Sequence, residues 1–185
     1  MKTKDITIIA TCVACICLSA WLAVPIGGIM ITMQTAMICL IAGVFGAKRA
    51  GIAVMAYLII GGIGLPVFAG FGGGFSRLIS PMGGFLVGFL LLALVVGWTS
   101  DRRKRKDKNN WALVIGALIG MALCYAMGMV WFACLALQEG GVVNISILFL
   151  SCVLPYLPFD IVKLALAIYL MGRIRKILPL SFLDR

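Results

Sequence analysis

Long apolar runs organise the chain, and short polar stretches punctuate them. The runs cover roughly 6–26, 29–47, 50–69, 82–99, 111–137 and 146–172. A helix needs about 20 residues to cross a hydrocarbon slab of ~30 Å, and each run is near or above that length. The pattern predicts an all-α integral membrane protein: a bundle of six transmembrane helices forming one domain over residues 1–185. The first run is read as a retained span, because further spans rather than a soluble mature chain follow it. The longest polar segment is 101–110. No repeat of fixed period and no low-complexity linker divides the chain.

Composition sharpens this picture. Of 185 residues, 63% are hydrophobic and 12% charged, and the mean hydropathy is +1.16. Soluble domains average about 45–50% apolar and about 25% charged residues, so a soluble enzyme and a disordered tail are excluded as defaults. Six spans leave too little chain for a catalytic or ATP-hydrolysing domain. Histidine, the commonest general base and metal ligand, is absent.

The net charge of +10 could suggest nucleic-acid binding until the charges are located. Lys2 and Lys4 precede the first run, and Lys48 and Arg49 separate the second from the third. Arg102 to Lys108 lie between the fourth and fifth, and Arg173, Arg175, Lys176 and Arg185 follow the sixth. Every basic residue except Arg77 and Lys163 belongs to one of these groups. In a six-span chain all four groups fall on one side, and positive-inside bias then makes both termini cytoplasmic in a multi-pass protein of the cell membrane. The basic run therefore reads as a topology signal in contact with the lipid bilayer, not as a nucleic-acid site.

All seven cysteines lie within the runs. Cys12 and Cys15 make a mid-helix C-x-x-C without a second pair, so packing is a better reading than a metal or redox site. Gly84 and Gly88 form one G-x-x-x-G, and Gly116, Gly120, Cys124 and Gly128 continue another as a smooth stripe, as close helix packing requires. Ala10 and Ala14 make a similar small step on the first helix. Gly70-Phe71-Gly72-Gly73-Gly74 lacks the Lys and hydroxyl of a phosphate loop. It reads either as a lid or re-entrant segment over a cavity or as a solvated loop.

The most informative segment is Leu154-Pro155-Tyr156-Leu157-Pro158-Phe159-Asp160-Ile161-Val162-Lys163. Asp160 and Lys163 are three residues apart, so they share a helix face, and the two prolines interrupt the hydrogen-bond ladder before them. A charge at the bilayer centre costs at least about 2.5 kcal/mol. Either the two form a structural ion pair or they serve a ligand. As acceptor and donor they suit a neutral polar group such as a urea or amide. Gln34, Thr35, Tyr125, Trp131 and Tyr156 are the other notable polar or aromatic residues in the runs. No catalytic or metal-ligating constellation stands out, so the expectation is a binding or transport protein without a cofactor. An ion-coupled secondary transporter, with Asp160 taking up the proton, is the alternative.

Four segments carry a family resemblance: Thr32-Met33-Gln34-Thr35, Gly64-Leu65-Pro66-Val67-Phe68, Ser80-Pro81-Met82-Gly83-Gly84-Phe85-Leu86-Val87-Gly88-Phe89 and Pro158-Phe159-Asp160-Ile161-Val162-Lys163. Together they resemble the BioY family, the substrate-binding membrane components of energy-coupling factor (ECF) biotin transporters. The resemblance implies six helices and an extracellular-facing biotin pocket under the loop between spans three and four. It also implies partners: a transmembrane coupling protein and two ABC-type ATPases. It implies that Asp160 and Lys163 contact the ureido ring, with Ser80, Gly83 and Gly84 near the ligand. Met82 stands where the family pattern has Thr, so no side-chain hydroxyl is offered there. Ala10 and Ala14 resemble the small-residue motif by which the family docks on the coupling protein. Gln34 and Tyr156 are further ligand-binding candidates, and Arg77 is a candidate for the biotin carboxylate.

Overall fold

A computed structural model describes residues 3–26, 29–102, 111–138, 140 and 144–177. Lys2, the basic run 103–108, Glu139 and Arg185 lie outside the described residues. The elements are α1 (Thr3–Trp21), β1 (Ala23–Ile26), β2 (Ile29–Thr32), α2 (Gln34–Ile63), α3 (Phe75–Ile79), α4 (Gly83–Arg102), α5 (Trp111–Gln138), α6 (Ile145–Cys152) and α7 (Leu157–Ile177). Among the described residues α1, α2, α4 and α5 are long and apolar enough to cross a membrane. In α7, 21 residues long, Asp160 and Lys163 and the terminal Arg175 and Lys176 dilute the apolar character.

Several boundaries differ from those read off the hydropathy. The third run ends as a helix at Ile63, and the sixth is split into α6 and α7. Two further differences shape the bundle. The first and second runs meet in an antiparallel hairpin, with Ala23 opposite Thr32, Val24 opposite Ile31 and Pro25 opposite Met30. Hydropathy cannot separate an apolar strand from an apolar helix. An isolated hairpin is marginal alone, and contacts at its root hold this one. Met33 N–H donates to Ser19 O at 3.2 Å. Next to the hairpin, Trp21 Nε1 donates to Pro66 O at 2.9 Å, and its ring stacks on Phe71 at 5.3 Å.

The second and third runs are continuous as α2, but Gly46 interrupts it with φ 83° and ψ 176°. Only glycine takes such a conformation without strain. Gln34 and Tyr57 are 23 positions apart, which a straight helix would separate by about 35 Å. Their side chains are instead bonded at 2.8 Å, so the two arms of α2 fold back on each other at Gly46. The bend is pinned from α4: Asp101 Oδ2 accepts from Ala47 N–H at 3.1 Å, and Ser100 Oγ donates to Gly43 O at 2.7 Å.

Between apolar helices in lipid, close packing replaces the hydrophobic effect as the main attraction. The α4–α5 seam follows this rule. A Cβ added to Gly88 would come within 3.0 Å of the Cys124 backbone, and one on Gly84 within 2.3 Å of Trp131 Cβ. Gly116, Gly120 and Gly128 face Thr99, Leu92 and Phe85 in the same way. The α2 arms pack against α1, α4 and α7, burying Ile16, Ile38, Tyr57, Leu92 and Met171.

Among the described residues, the members of the four basic groups collect at one end of the bundle. There Arg49 Nε and Nη2 donate to Asp5 Oδ1 at 3.0 and 2.8 Å, tying α2 to α1. Arg175 of α7 donates to Ser100 Oγ of α4. The hairpin, the 64–74 segment and α3 occupy the opposite end.

Candidate ligand-binding site

The prolines set the site's geometry. α6 begins under its cap, Asn144, whose side chain accepts from Ser146 N–H at 3.0 Å, and it stops at Cys152. Pro155 has no N–H to continue a helix, so the chain turns before α7 begins. Pro158 then lies in the first turn of α7, where a missing N–H is tolerated. Asp160 is in that turn too, favoured by the helix dipole. Lys163 follows on the same face, its Nζ 2.9 Å from Asp160 Oδ1.

Two other helices complete the carboxylate's shell. Thr35 Oγ1 of α2 donates to Asp160 Oδ1 at 3.0 Å, and the Tyr125 hydroxyl of α5 donates to Oδ2. Asp160 and Lys163 are only 5% and 7% exposed, so desolvation would be prohibitive without these partners. A second buried chain runs alongside. Thr32 Oγ1 donates to Gln34 Oε1 at 3.1 Å, Gln34 Nε2 to the Tyr57 hydroxyl at 2.8 Å, and that hydroxyl to Val67 O at 3.3 Å.

Both chains border a cavity of about 180 Å³. Met30, Phe68, Met82, Phe85, Leu86, Phe89 and Met121 give it apolar walls. Gln34, Thr35, Tyr125, Tyr156, Asp160 and Lys163 supply its polar groups. Arg77 also lines it but is exposed at the rim, its guanidinium lying against Gly72. Apolar walls with a few convergent polar groups describe a small-molecule site. The glycine-rich stretch forms an ordered turn, with Phe68 N–H donating to Gly72 O at 2.9 Å and Gly74 N–H to Gly61 O at 2.8 Å. Phe68 and Ala69, just before it, line the cavity.

Of the residues singled out in the sequence, Asp160, Lys163, Tyr156, Gln34 and Arg77 line this one cavity. Ser80, Gly83 and Gly84 are not among the lining residues, although Met82 and Phe85, on either side of the two glycines, are. Ser80 closes α3, donating to Arg77 O at 2.7 Å and accepting from Trp131 Nε1 at 3.1 Å. A Cβ on Gly83 would come within 1.7 Å of Leu78 O, so these small residues let α3 and α5 close on α4. Ala10 and Ala14 are exposed on α1, outside the cavity lining. Thr35 and Tyr125 stood out only as polar residues within runs. Their convergence on Asp160 depends on three helices meeting, which spacing along one chain does not reveal.

The BioY family model matches residues 1–180. The chain belongs to the BioY family. A BioY biotin transporter of Thermotoga maritima is 32% identical over 164 residues, covering 89% of this chain and 91% of that one. One from Lactococcus lactis subsp. cremoris is 32% identical, covering 95% and 92%. Among solved structures, the S-component for biotin from an ECF-type ABC transporter superposes with a TM-score of 0.86 at 27% identity, covering 100% of this chain and 97% of that one. The BioY-like segment Pro158–Lys163 is the one that carries Asp160 and Lys163 to the cavity.

Proposed function

We propose that this chain is the biotin-binding membrane component of an ECF-type uptake system, a transport role and not a catalytic one. The observation that carries the reading is the Asp160–Lys163 pair set at the buried pole of a largely apolar cavity. Thr35, Tyr125 and Lys163 supply three donors to Asp160, and a carboxylate has about four acceptor sites. The remaining site suits a ureido N–H, and the unengaged hydrogens of the Lys163 ammonium suit the ureido carbonyl. Phe85, Phe89 and Met121 cover the ligand's apolar part, and Arg77 meets its carboxylate at the rim.

The single domain crosses the membrane six times: by α1, the two arms of α2, α4, α5, and α6 with α7 together. Both termini then lie at the basic end, which faces the cytoplasm, and the cavity opens outward. Ala10 and Ala14 dock on a transmembrane coupling protein driven by two ABC-type ATPases. Release requires a second state of lower affinity, which the partner favours.

Calorimetry on the purified chain in detergent tests this reading. One-to-one biotin binding without partners is the expected result. A folded chain that binds no biotin overturns it, and proton-coupled uptake by this chain alone in vesicles replaces it with ion-coupled transport.

A further inference from the structure

Tyr57 does not itself line the cavity, yet it contacts two residues that do, Gln34 and Phe68. Its side chain is fully buried on the second arm of α2. Its hydroxyl accepts from Gln34 Nε2 and donates to Val67 O, at 2.8 and 3.3 Å. Its ring meets Phe68 edge-on at 5.4 Å, and Phe68 lies over Gly61, where an added Cβ would come within 2.2 Å of the ring.

The direction of this chain is fixed from its far end. A backbone carbonyl only accepts, so the Tyr57 proton must go to Val67 O. The phenol oxygen is then left as acceptor, and only the amide nitrogen of Gln34 can donate to it. The amide oxygen of Gln34 consequently turns to Thr32, whose hydroxyl donates to it at 3.1 Å. Removing the phenol oxygen frees both ends at once. Gln34 can flip its amide, and Val67 O loses its side-chain donor. That donor is one of the ties, with Trp21 to Pro66 O and Phe68 N–H to Gly72 O, that hold the segment around Phe68 and Ala69.

We infer that Tyr57 is a positioning residue that sets the orientation of Gln34 in the cavity and fastens the 66–69 cover, so that it governs ligand escape. The inference rests on the biotin reading for its ligand but not for the tie itself. Tyr57→Phe keeps the ring, and so the contact with Phe68, while deleting the hydroxyl.

Stopped-flow binding of biotin to the purified chain is the first measurement. Tyr57→Phe should raise the dissociation rate about fivefold, the effect of losing a typical buried hydrogen bond. The association rate should change less than twofold. Hydrogen exchange without ligand is the second, and should quicken in the 65–74 peptide of Tyr57→Phe while the α4–α5 seam is unchanged. In a double-mutant cycle, Gln34→Leu should add little to Tyr57→Phe, because the amide has already lost its orientation. Unchanged dissociation, unchanged exchange at 65–74, or rate effects of the two substitutions that simply multiply would each overturn the inference. Wild-type protein that binds no biotin would sink the functional reading instead, leaving the exchange measurement to decide the tie.

Discussion

The two ends of the bundle both use polar groups, but under different conditions. At the basic end, the Asp5–Arg49 pair retains 26% and 12% side-chain exposure, two further ties run to backbone groups near Gly46, and Arg175 reaches Ser100 Oγ. At the cavity pole, Asp160 and Lys163 are almost wholly buried and held by residues of three helices. A partly exposed pair is screened and worth little, about 0–1 kcal/mol. Removing one partner of a buried pair leaves an uncompensated charge, which costs about 3–5 kcal/mol. The basic end therefore reads as fastening, and the cavity pole as a place where charge is kept at high cost, which the proposed function assigns to a ligand.

Substitutions can break this contrast, beginning with the two most severe, at Asp160 and Lys163. Asp160→Asn should weaken biotin binding about a hundredfold or more, since about 1.4 kcal/mol is tenfold in affinity. Titration calorimetry giving an affinity within twofold of wild type would remove Asp160 from the site. Lys163→Met leaves the carboxylate short of a donor and should abolish binding in a chain that still folds. Loss of the folded protein itself would make the pair a structural lock.

Gly88→Val should destabilise the α4–α5 seam by about 1–3 kcal/mol through overpacking, read as a lower thermal midpoint in detergent. An unchanged midpoint would mean the helices part easily there. Arg77→Ala should weaken binding about threefold, less at high salt, because the residue is exposed. An effect insensitive to salt would argue against a carboxylate partner. Asp5→Asn should be mildest, at most about 1 kcal/mol in stability with biotin affinity unchanged. A large loss of affinity would show that the basic end reports on the cavity.

Much of this was legible in the sequence because single-residue costs are large in lipid. A charged pair inside an apolar run, and two prolines before it, marked Asp160 and Lys163 without any knowledge of the fold. The small-residue stripe from Gly116 to Gly128 likewise announced a close seam. Other features were hidden by the averaging that makes hydropathy work. The 23–32 hairpin is as apolar as the helix before it; Gly27-Gly28 between two apolar segments was the available hairpin signal. Family likeness pointed to Ser80, Gly83 and Gly84 for the ligand; they pack against α3 and α5, and the glycines sit between Met82 and Phe85, which line the cavity. Tyr57 was invisible as a partner of Gln34 because their proximity exists only after α2 folds back.

That fold-back makes α2 a ruler. Gln34 and Tyr57 are nearly equidistant along the chain from Gly46, so their meeting depends on the number of residues in each arm as much as on their identity. Inserting or deleting one residue between 35 and 56 would rotate everything beyond it by about 100° and shift it by ~1.5 Å. Tyr57 would then turn away from Gln34 and from Val67 O together. The arms should accept many changes of apolar side chain but no change of length, which confines insertions in this protein to the segments between its long helices.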